Sequence, residues 1–310
     1  MKIIFMGFRE WGLQALRAAA AEHQVVAAIA HPDAYDTFNT AFSGSVVEFA
    51  RSAGASTFVS TTGTDEEIVR EFERTKPDLI LSSNWRRRID SRLLSLARYG
   101  GVNVHRSLLP KFAGFAPINW AVACGETITG VTLHALADGL DTGSILAQER
   151  VGIDANDTAT TVFEKMRPVV ARLVSRTLGE IESGRARYVP QDLALLEYYP
   201  QRTERDLRIN WWQARGRVRD LVRSQSAPFP PAFTTWNGRR VYIEAADLSN
   251  RCFRGTPGRI AEVSSDGIVV LCGEDSRAGG QGLLVRSARV DDAASANPAT
   301  IIRSTRESFD

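Results

Sequence analysis

The chain has 310 residues, 44% of them hydrophobic and 24% charged, which is enough apolar material for two domains and excludes a disordered chain. Its net charge is +2, and no Lys or Arg occurs between Arg17 and Arg51, so the first 50 residues lack the cation cluster of a nucleic-acid-binding arm. No apolar run is long enough to span a membrane, and three widely spaced cysteines favour a reduced, cytoplasmic protein without a metal site. We therefore expect neither DNA nor a membrane as partner.

Strands and helices alternate through the first half of the sequence. The apolar run KIIFMG (2–7) precedes an amphipathic helix, and QVVAAIA (24–30) reads as a second strand. A helix beginning at Thr64 ends before Pro77, and the strands DLILSS and GVNVH follow. This spacing fits right-handed crossovers and predicts an α/β fold with a Rossmann-like, doubly wound and mostly parallel sheet over residues 1 to about 150.

The composition and hydrophobic pattern of the sequence change after residue 184. The longest amphipathic helix is predicted over 158–184, and a polar, aromatic stretch follows it. Short β-like pieces separated by turn residues then run to the end of the chain, typical of a small antiparallel barrel or sandwich. We predict a catalytic domain at 1–184, a linker at 185–204 and a C-terminal β-barrel domain at 205–310.

An amide and an imidazole lie at the end of the strand GVNVH. Alternation along a strand puts Asn103 and His105 on the same face, and ligands of open parallel sheets bind beyond the carboxyl ends of the strands. Asp141 lies in a Gly-flanked turn between two later strands, from which a carboxylate could reach His105. An amide donating to an oxyanion, an imidazole moving protons and a carboxylate orienting the imidazole would support transfer of a small acyl group to an amine.

The stretch NVHRSLLPKFAGFAPINWAVACGETITGVTLHALADGLDTGSILAQ (103–148) resembles the folate-dependent formyltransferase family. The shared pattern is N-x-H-x-S-L-L-P, then G-V-T and D-x-G. The resemblance implies the formyltransferase fold, with 10-formyltetrahydrofolate as formyl donor and Asn103, His105 and Asp141 as catalytic residues. It extends to PQRTERDLRINW and the region beyond, which implies an OB-like barrel at the C-terminus.

The resemblance also implies which segments contact the folate. They are a strand-end loop, the Ser-Leu-Leu-Pro loop and the turn before the aspartate. Their residues are Trp85, Arg86, Arg87, Arg88 and Ile89; Ser107, Leu108, Leu109 and Pro110; and Asp138, Gly139 and Leu140. The three arginines could equally form a solvated face, and Asp138 could serve through its backbone.

The sequence favours a small-molecule amine as the acceptor of the formyl group. MGFREWGLQAL, GFAPINWAV and RSQSAPFPPAFT resemble hydroxyornithine formyltransferases of siderophore and natural-product assembly, and GVTLH also resembles formyltransferases of nucleotide-linked amino sugars. Methionyl-tRNA formyltransferases resemble one another in a basic insertion after the second strand, where this chain reads AHPDAYDTFNTAFSG, and usually carry Met in place of His134. A tRNA substrate is therefore expected to be the weaker alternative.

Other functions stay open at this stage. A nicotinamide-dependent oxidoreductase could use the same sheet, but Gly7 and Gly12 lack the G-x-G-x-x-G spacing. A hydrolase using the same three side chains is a further alternative. His134 is as consistent with a position buried beneath the site as with contact to substrate, and a homodimer is possible.

Overall fold

The computed structural model describes residues 1–35, 44–273 and 280–310. Its helices are α1 (Arg9–Ala20), α2 (Val46–Ser52), α3 (Glu66–Thr75), α4 (Ser91–Leu96), α5 (Pro117–Ala123), α6 (Ala159–Glu182) and α7 (Arg215–Ser224). Its strands are β1 (Lys2–Gly7), β2 (Gln24–Ala30), β3 (Ser56–Val59), β4 (Leu79–Ser83), β5 (Gly101–His105), β6 (Ala113–Gly114), β7 (Ile128–Ala135), β8 (Ile145–Gly152), β9 (Tyr198–Tyr199), β10 (Ala232–Trp236), β11 (Arg239–Leu248), β12 (Ile260–Ser264), β13 (Gly267–Leu271) and β14 (Gly282–Val290). In these ranges no helix is long and apolar enough to cross a membrane.

A seven-stranded sheet organises the first compact unit, which comprises Met1–Pro117, Ile128–Gly152 and Phe163–Pro200. The strand order is β3-β2-β1-β4-β5-β7-β8, and the five strands from β3 to β5 are parallel. The hairpin β7–β8 adds two antiparallel strands beside β5. The predicted mixed α/β fold with a mostly parallel sheet is thus confirmed.

The inner parallel strands β2, β1, β4 and β5 are mostly buried because their sequences are nearly continuous apolar runs, whereas the edge strand β3 is partly exposed. Every residue of β4 is buried, and a core on one side of the sheet contains Ile4, Ile29, Phe72 and Ile80. The helix predicted from Thr64 instead has Asp65 as its N-cap residue. It ends at Lys76, which adopts a left-handed conformation before the proline.

An antiparallel five-stranded sheet forms the second unit, which comprises Ile118–Thr127, Ile153–Val162 and Gln201–Asp310. Its order is β10-β11-β14-β13-β12, with register shifts in β11 and β12. Trp211, Val241, Ile268 and Val285 belong to its apolar core. A separate C-terminal sheet is therefore present, and its closure into an OB-like barrel stays a prediction.

Candidate active site

Asn103 and His134 face each other across the antiparallel pair β5–β7. The register places Asn103 opposite His134 and His105 opposite Thr132, so all four side chains are on one face of the sheet. The side-chain amide of Asn103 lies 3.2 Å from Nε2 of His134. Asn103 is half-buried, whereas His105 and His134 are buried. The predicted pairing of amide and imidazole on one face is therefore present, with a second imidazole beside it.

Backbone carbonyls fix one nitrogen of each imidazole. Nε2 of His105 lies 2.8 Å from the carbonyl oxygen of Phe112, and Nδ1 of His134 lies 2.9 Å from that of Ala135. Since a carbonyl only accepts, each of these nitrogens carries a hydrogen. The remaining nitrogens, Nδ1 of His105 and Nε2 of His134, lie 3.6 Å and 3.4 Å from the carboxylate of Asp141. A proton on either one makes an ion pair with that carboxylate.

Local backbone geometry brings Asp141 into this position. Asp141 has φ +55°, a left-handed conformation that Asp tolerates better than most residues. Two residues on, a Cβ on Gly143 would overlap the carbonyl of Ala135, which explains the glycine of the D-x-G turn. The amide of Gly114 donates to Oδ2 of Asp141 at 2.8 Å. The carboxylate is thus held between a peptide N–H and two imidazoles.

Opposing effects determine the protonation of the buried pair. Burial would raise the pKa of the Asp141 carboxyl, but the charge of His105, the adjacent His134 imidazole and the hydrogen bond from the Gly114 amide outweigh it and hold that pKa well below its usual range. Burial lowers the pKa of His105 below 6.5, against the raising effects of Asp141 and the Phe112 carbonyl. An ionised Asp141 therefore lies beside an imidazole whose neutral form is favoured, and a neutral imidazole can accept a proton from a reacting group.

The two loops predicted to contact folate lie next to each other. Arg88, from the loop after β4, forms a 2.6 Å ion pair with Asp138 from the turn before Asp141. Both side chains are largely exposed, so this pair contributes little stability. Among the described residues, no backbone–backbone hydrogen bond joins the peptide groups from Arg87 to Ile89 to another residue. Contact of these two loops with folate stays a prediction.

The residues predicted to contact folate in the loop after β4 have different neighbours: some pack around His31, and one packs in the core. The Arg86 amide donates to Nε2 of His31, and the Trp85 ring stacks on the His31 ring at 3.9 Å. Tyr35 stacks on the other face of His31 at 4.0 Å, and Arg87 lies over Tyr35. Ile89, by contrast, packs in the core. Residues 36–43, just over half of the stretch AHPDAYDTFNTAFSG (30–44), lie outside the described residues.

The Ser-Leu-Leu-Pro loop is fixed by bonds to its own backbone and to β7. Ser107 Oγ donates to the Lys111 carbonyl at 2.7 Å, and Thr132 Oγ donates to the Ser107 carbonyl at 2.6 Å. Leu109 is buried, and Leu108 and Pro110 are half-buried. Gly139 and Leu140 are exposed in the turn before Asp141. Ser107 thus anchors this loop through its side chain. The contacts of the loop with folate stay a prediction.

The sequence alone does not place two residues of the site. The first is His134, whose position follows from strand register, because it is the partner of Asn103 in the β5–β7 pair. The second is Gln191, whose side-chain amide donates to the carbonyls of Asp141 and Gly143 at 2.8 Å and 2.7 Å. No pattern around Gln191 in the sequence indicates this contact.

Known proteins similar to this chain share both its sequence and its fold. The methionyl-tRNA formyltransferase of Alkaliphilus oremlandii (strain OhILAs) is 31% identical over 277 residues, 89% of each chain. The structure of an N-formyltransferase from Helicobacter canadensis, in complex with folinic acid and dTDP-3-aminofucose, superposes with a TM-score of 0.67 at 17% identity and covers 92% of this chain and 99% of its own. HypX from Aquifex aeolicus in complex with tetrahydrofolic acid gives 0.60 at 18% identity, with 97% and 47% covered. At these identities the two structures show a shared fold.

Family models match both parts of the sequence. The model described as "Formyl transferase" matches residues 1–178, and the model described as "Formyl transferase, C-terminal domain" matches residues 202–306. The first alone spans more than half of the chain, and it contains Asn103, His105 and Asp141. The chain therefore belongs to the formyl transferase family of enzymes, which transfer formyl groups.

Proposed function

We propose that this protein transfers a formyl group from 10-formyltetrahydrofolate to the amine or hydroxylamine of a small molecule. The observation that carries the proposal is the buried carboxylate of Asp141, which lies 3.6 Å from Nδ1 of His105 and 3.4 Å from Nε2 of His134, beside the amide of Asn103. This arrangement supplies a hydrogen-bond donor and a proton carrier, the two groups that direct acyl transfer to an amine requires.

Each side chain has a separate task in the proposed reaction. The side-chain amide of Asn103 has two N–H groups, of which one bonds to His134 and the other can donate to the developing oxyanion. A bond forms between the acceptor nitrogen and the formyl carbon, and the bond from that carbon to N10 of the folate breaks. The acceptor nitrogen loses one proton and N10 gains one. His105 carries this proton through Nδ1, and Asp141 orients the ring and stabilises its charged form.

For the acceptor we favour δ-N-hydroxyornithine or a related natural-product amine, on the resemblance of residues 6–16, 114–122 and 223–234. A nucleotide-linked amino sugar is the second candidate. The methionyl-tRNA formyltransferase relative at 31% identity favours initiator tRNA. Against tRNA stand the absence of Lys and Arg from residues 18–50 of the sequence and the presence of His134.

The domain division belongs to the same proposal. We place the catalytic domain at 1–184, the linker at 185–204 and the C-terminal domain at 205–310. Closure of the C-terminal strands into an OB-like barrel is supported by the register shifts of β11 and β12, because such irregularities bend strands.

An acceptor screen tests the proposed function. Purified protein is incubated with 10-formyltetrahydrofolate and, in separate reactions, δ-N-hydroxyornithine, an amino-sugar nucleotide or methionyl initiator tRNA, with tetrahydrofolate release as the common measurement. We expect turnover only with an acceptor, and fastest with the hydroxylamine. Turnover without any amine would indicate a hydrolase. Binding of NADH that is tighter than that of folate would favour an oxidoreductase.

A further inference from the structure

The segment from Val189 to Tyr199, called the strap below, follows α6 and runs along the loops that carry the site. Its large apolar side chains are mostly exposed: Val189, Leu193, Leu195 and Tyr198 are 59%, 55%, 63% and 54% exposed. The strap therefore adds little to the apolar core. What holds it is a set of hydrogen bonds to other segments of the same compact unit, and these bonds end on the residues around Asp141 and His105.

One group of contacts fixes the turn of Asp141. The side-chain amide of Gln191 donates one hydrogen to the Asp141 carbonyl at 2.8 Å and the other to the Gly143 carbonyl at 2.7 Å. Tyr198 donates its hydroxyl to the Leu140 carbonyl at 3.2 Å. A side-chain amide is suited to this position, because it offers two donors in one plane at a fixed separation. Gln191 thus bridges the left-handed turn whose side chain faces His105.

A second group of contacts fixes the loop after β5. Strand β9 of the strap pairs with β6, and the ring of Tyr199 stacks on Phe112 at 4.7 Å. The Phe112 carbonyl is the acceptor of His105 Nε2, and the amide of Gly114 in β6 is the donor to the Asp141 carboxylate. The strap therefore contacts Phe112, whose carbonyl bonds to the imidazole of His105, and Gly114, whose amide bonds to the carboxylate of Asp141. Through Gln191 it also bonds to the backbone of Asp141 itself.

We propose that the strap sets the separation of Asp141 and His105, and that Gln191 is its positioning residue. The effect of the strap on turnover rests on the proposed function, whereas its role in holding the turn of Asp141 does not. Loss of the Gln191 donors frees the turn, and the Asp141 carboxylate moves away from Gly114 and His105. A misplacement of about 1 Å can cost a reaction about 100-fold, so a remote amide can control turnover without contacting substrate.

The amide hydrogen of Gly114 reports the position of Asp141 directly, because its acceptor is the Asp141 carboxylate. Hydrogen exchange at Gly114 is compared in the full-length wild-type protein, Gln191→Leu and the matched control Gln24→Leu, whose glutamine is exposed at the start of β2. We expect exchange at least about tenfold faster in Gln191→Leu and unchanged in Gln24→Leu. Gln191→Glu, which keeps the size but loses the amide donors, is the second variant in case Gln191→Leu fails to fold. Gly114 exchange within twofold of wild type in either folded Gln191 variant would overturn the proposal.

Steady-state kinetics separates positioning from mere stabilisation. With whichever of the three acceptors supports turnover, Gln191→Leu is expected to lower kcat about 10- to 100-fold at a nearly constant KM and to shift the acid limb of the pH profile. A lower Tm with normal kcat and an unshifted profile contradicts the proposal. If the proposed function itself is wrong, the wild-type protein releases no tetrahydrofolate in response to any acceptor, and that result is independent of exchange at Gly114.

Discussion

The carboxylate of Asp141 lies 3.6 Å from Nδ1 of His105, the ring nitrogen that no backbone carbonyl occupies. The opposite nitrogen of the ring is held by Phe112, so the imidazole cannot turn to present Nε2 to a reacting group without losing that bond. Proton transfer by His105 in this geometry runs through Nδ1. Asp141 raises the pKa of this imidazole, against the larger and opposite effect of burial.

Asp141→Asn is expected to lower turnover at least about 100-fold, the contribution typical of general acid–base groups. The negative charge raises the pKa of His105 against the larger effect of burial, so its removal lowers that pKa further. With neutral His105 as the base, the acid limb of log kcat/KM is expected at lower pH in the variant than in the wild type. Initial rates from pH 5 to 9 measure both effects. An unshifted limb at near-normal turnover would contradict the assignment.

His134→Leu tests whether the second imidazole takes part in the reaction. The substitution removes the acceptor of the Asn103 amide and one polar neighbour of Asp141. A lost hydrogen bond in a buried site costs about 1–3 kcal/mol, so we expect kcat/KM to fall about tenfold or more. His134→Gln, which can still bond to Asn103, should lose less. Equal rates in wild type and His134→Leu would make His134 a packing residue only.

Gly143→Ala is expected to abolish most activity. Its Cβ would overlap the Ala135 carbonyl, so the turn must shift and carry the Asp141 carboxylate with it. Displacement of about 1 Å is enough for a loss of about 100-fold. Gly152→Ala is the matched control, since a Cβ there meets nothing within 4 Å. Rates for the two variants are measured after their folding has been compared by circular dichroism. A fully active Gly143→Ala protein would show that the turn tolerates the shift.

His31 makes the unfolding free energy depend on pH. Burial lowers the pKa of His31 from 6.5 to about 4, assisted by Arg86 and Arg87 and opposed by the Ser60 carbonyl. Between these values the unfolded chain binds the proton and the folded chain does not, so stability falls as the pH falls. The predicted contribution is about 2 kcal/mol between pH 7 and pH 5.

Urea unfolding of wild type and His31→Phe at both pH values measures this contribution. The phenylalanine keeps a ring between Tyr35 and Trp85 but cannot titrate. We therefore expect its unfolding free energy to change about 2 kcal/mol less than that of the wild type over the same interval. Equal pH dependence in the two proteins would show that His31 is not the responsible group.

Continuous apolar strands and their alternation with helices were sufficient to predict the parallel sheet. The same reasoning brought Asn103 and His105 to one face, because a period of two needs no tertiary information. His134 could not be placed in this way. Its position depends on which strand pairs with β5 and in what register, and both follow from the packing of the whole sheet.

Gln191 illustrates a different limit of prediction. It lies in a polar stretch predicted to be a linker, and its contacts join it to a turn about 50 positions earlier in the chain. Neither hydrophobic periodicity nor capping residues carry information about such a contact. The N-cap of α3 differs by one residue from the predicted Thr64 for a simpler reason: Thr64 and Asp65 are both residue types found at N-caps, and propensity alone does not fix a helix boundary to one residue.

Because β7 runs antiparallel beside β5, the amide, both imidazoles and the carboxylate all come from one short continuous stretch, residues 103 to 141. A stretch of this kind can be inherited whole, with its reactivity intact, while the rest of the chain diverges to accept other amines. The choice of acceptor is then free to change by substitutions that leave the reacting groups untouched.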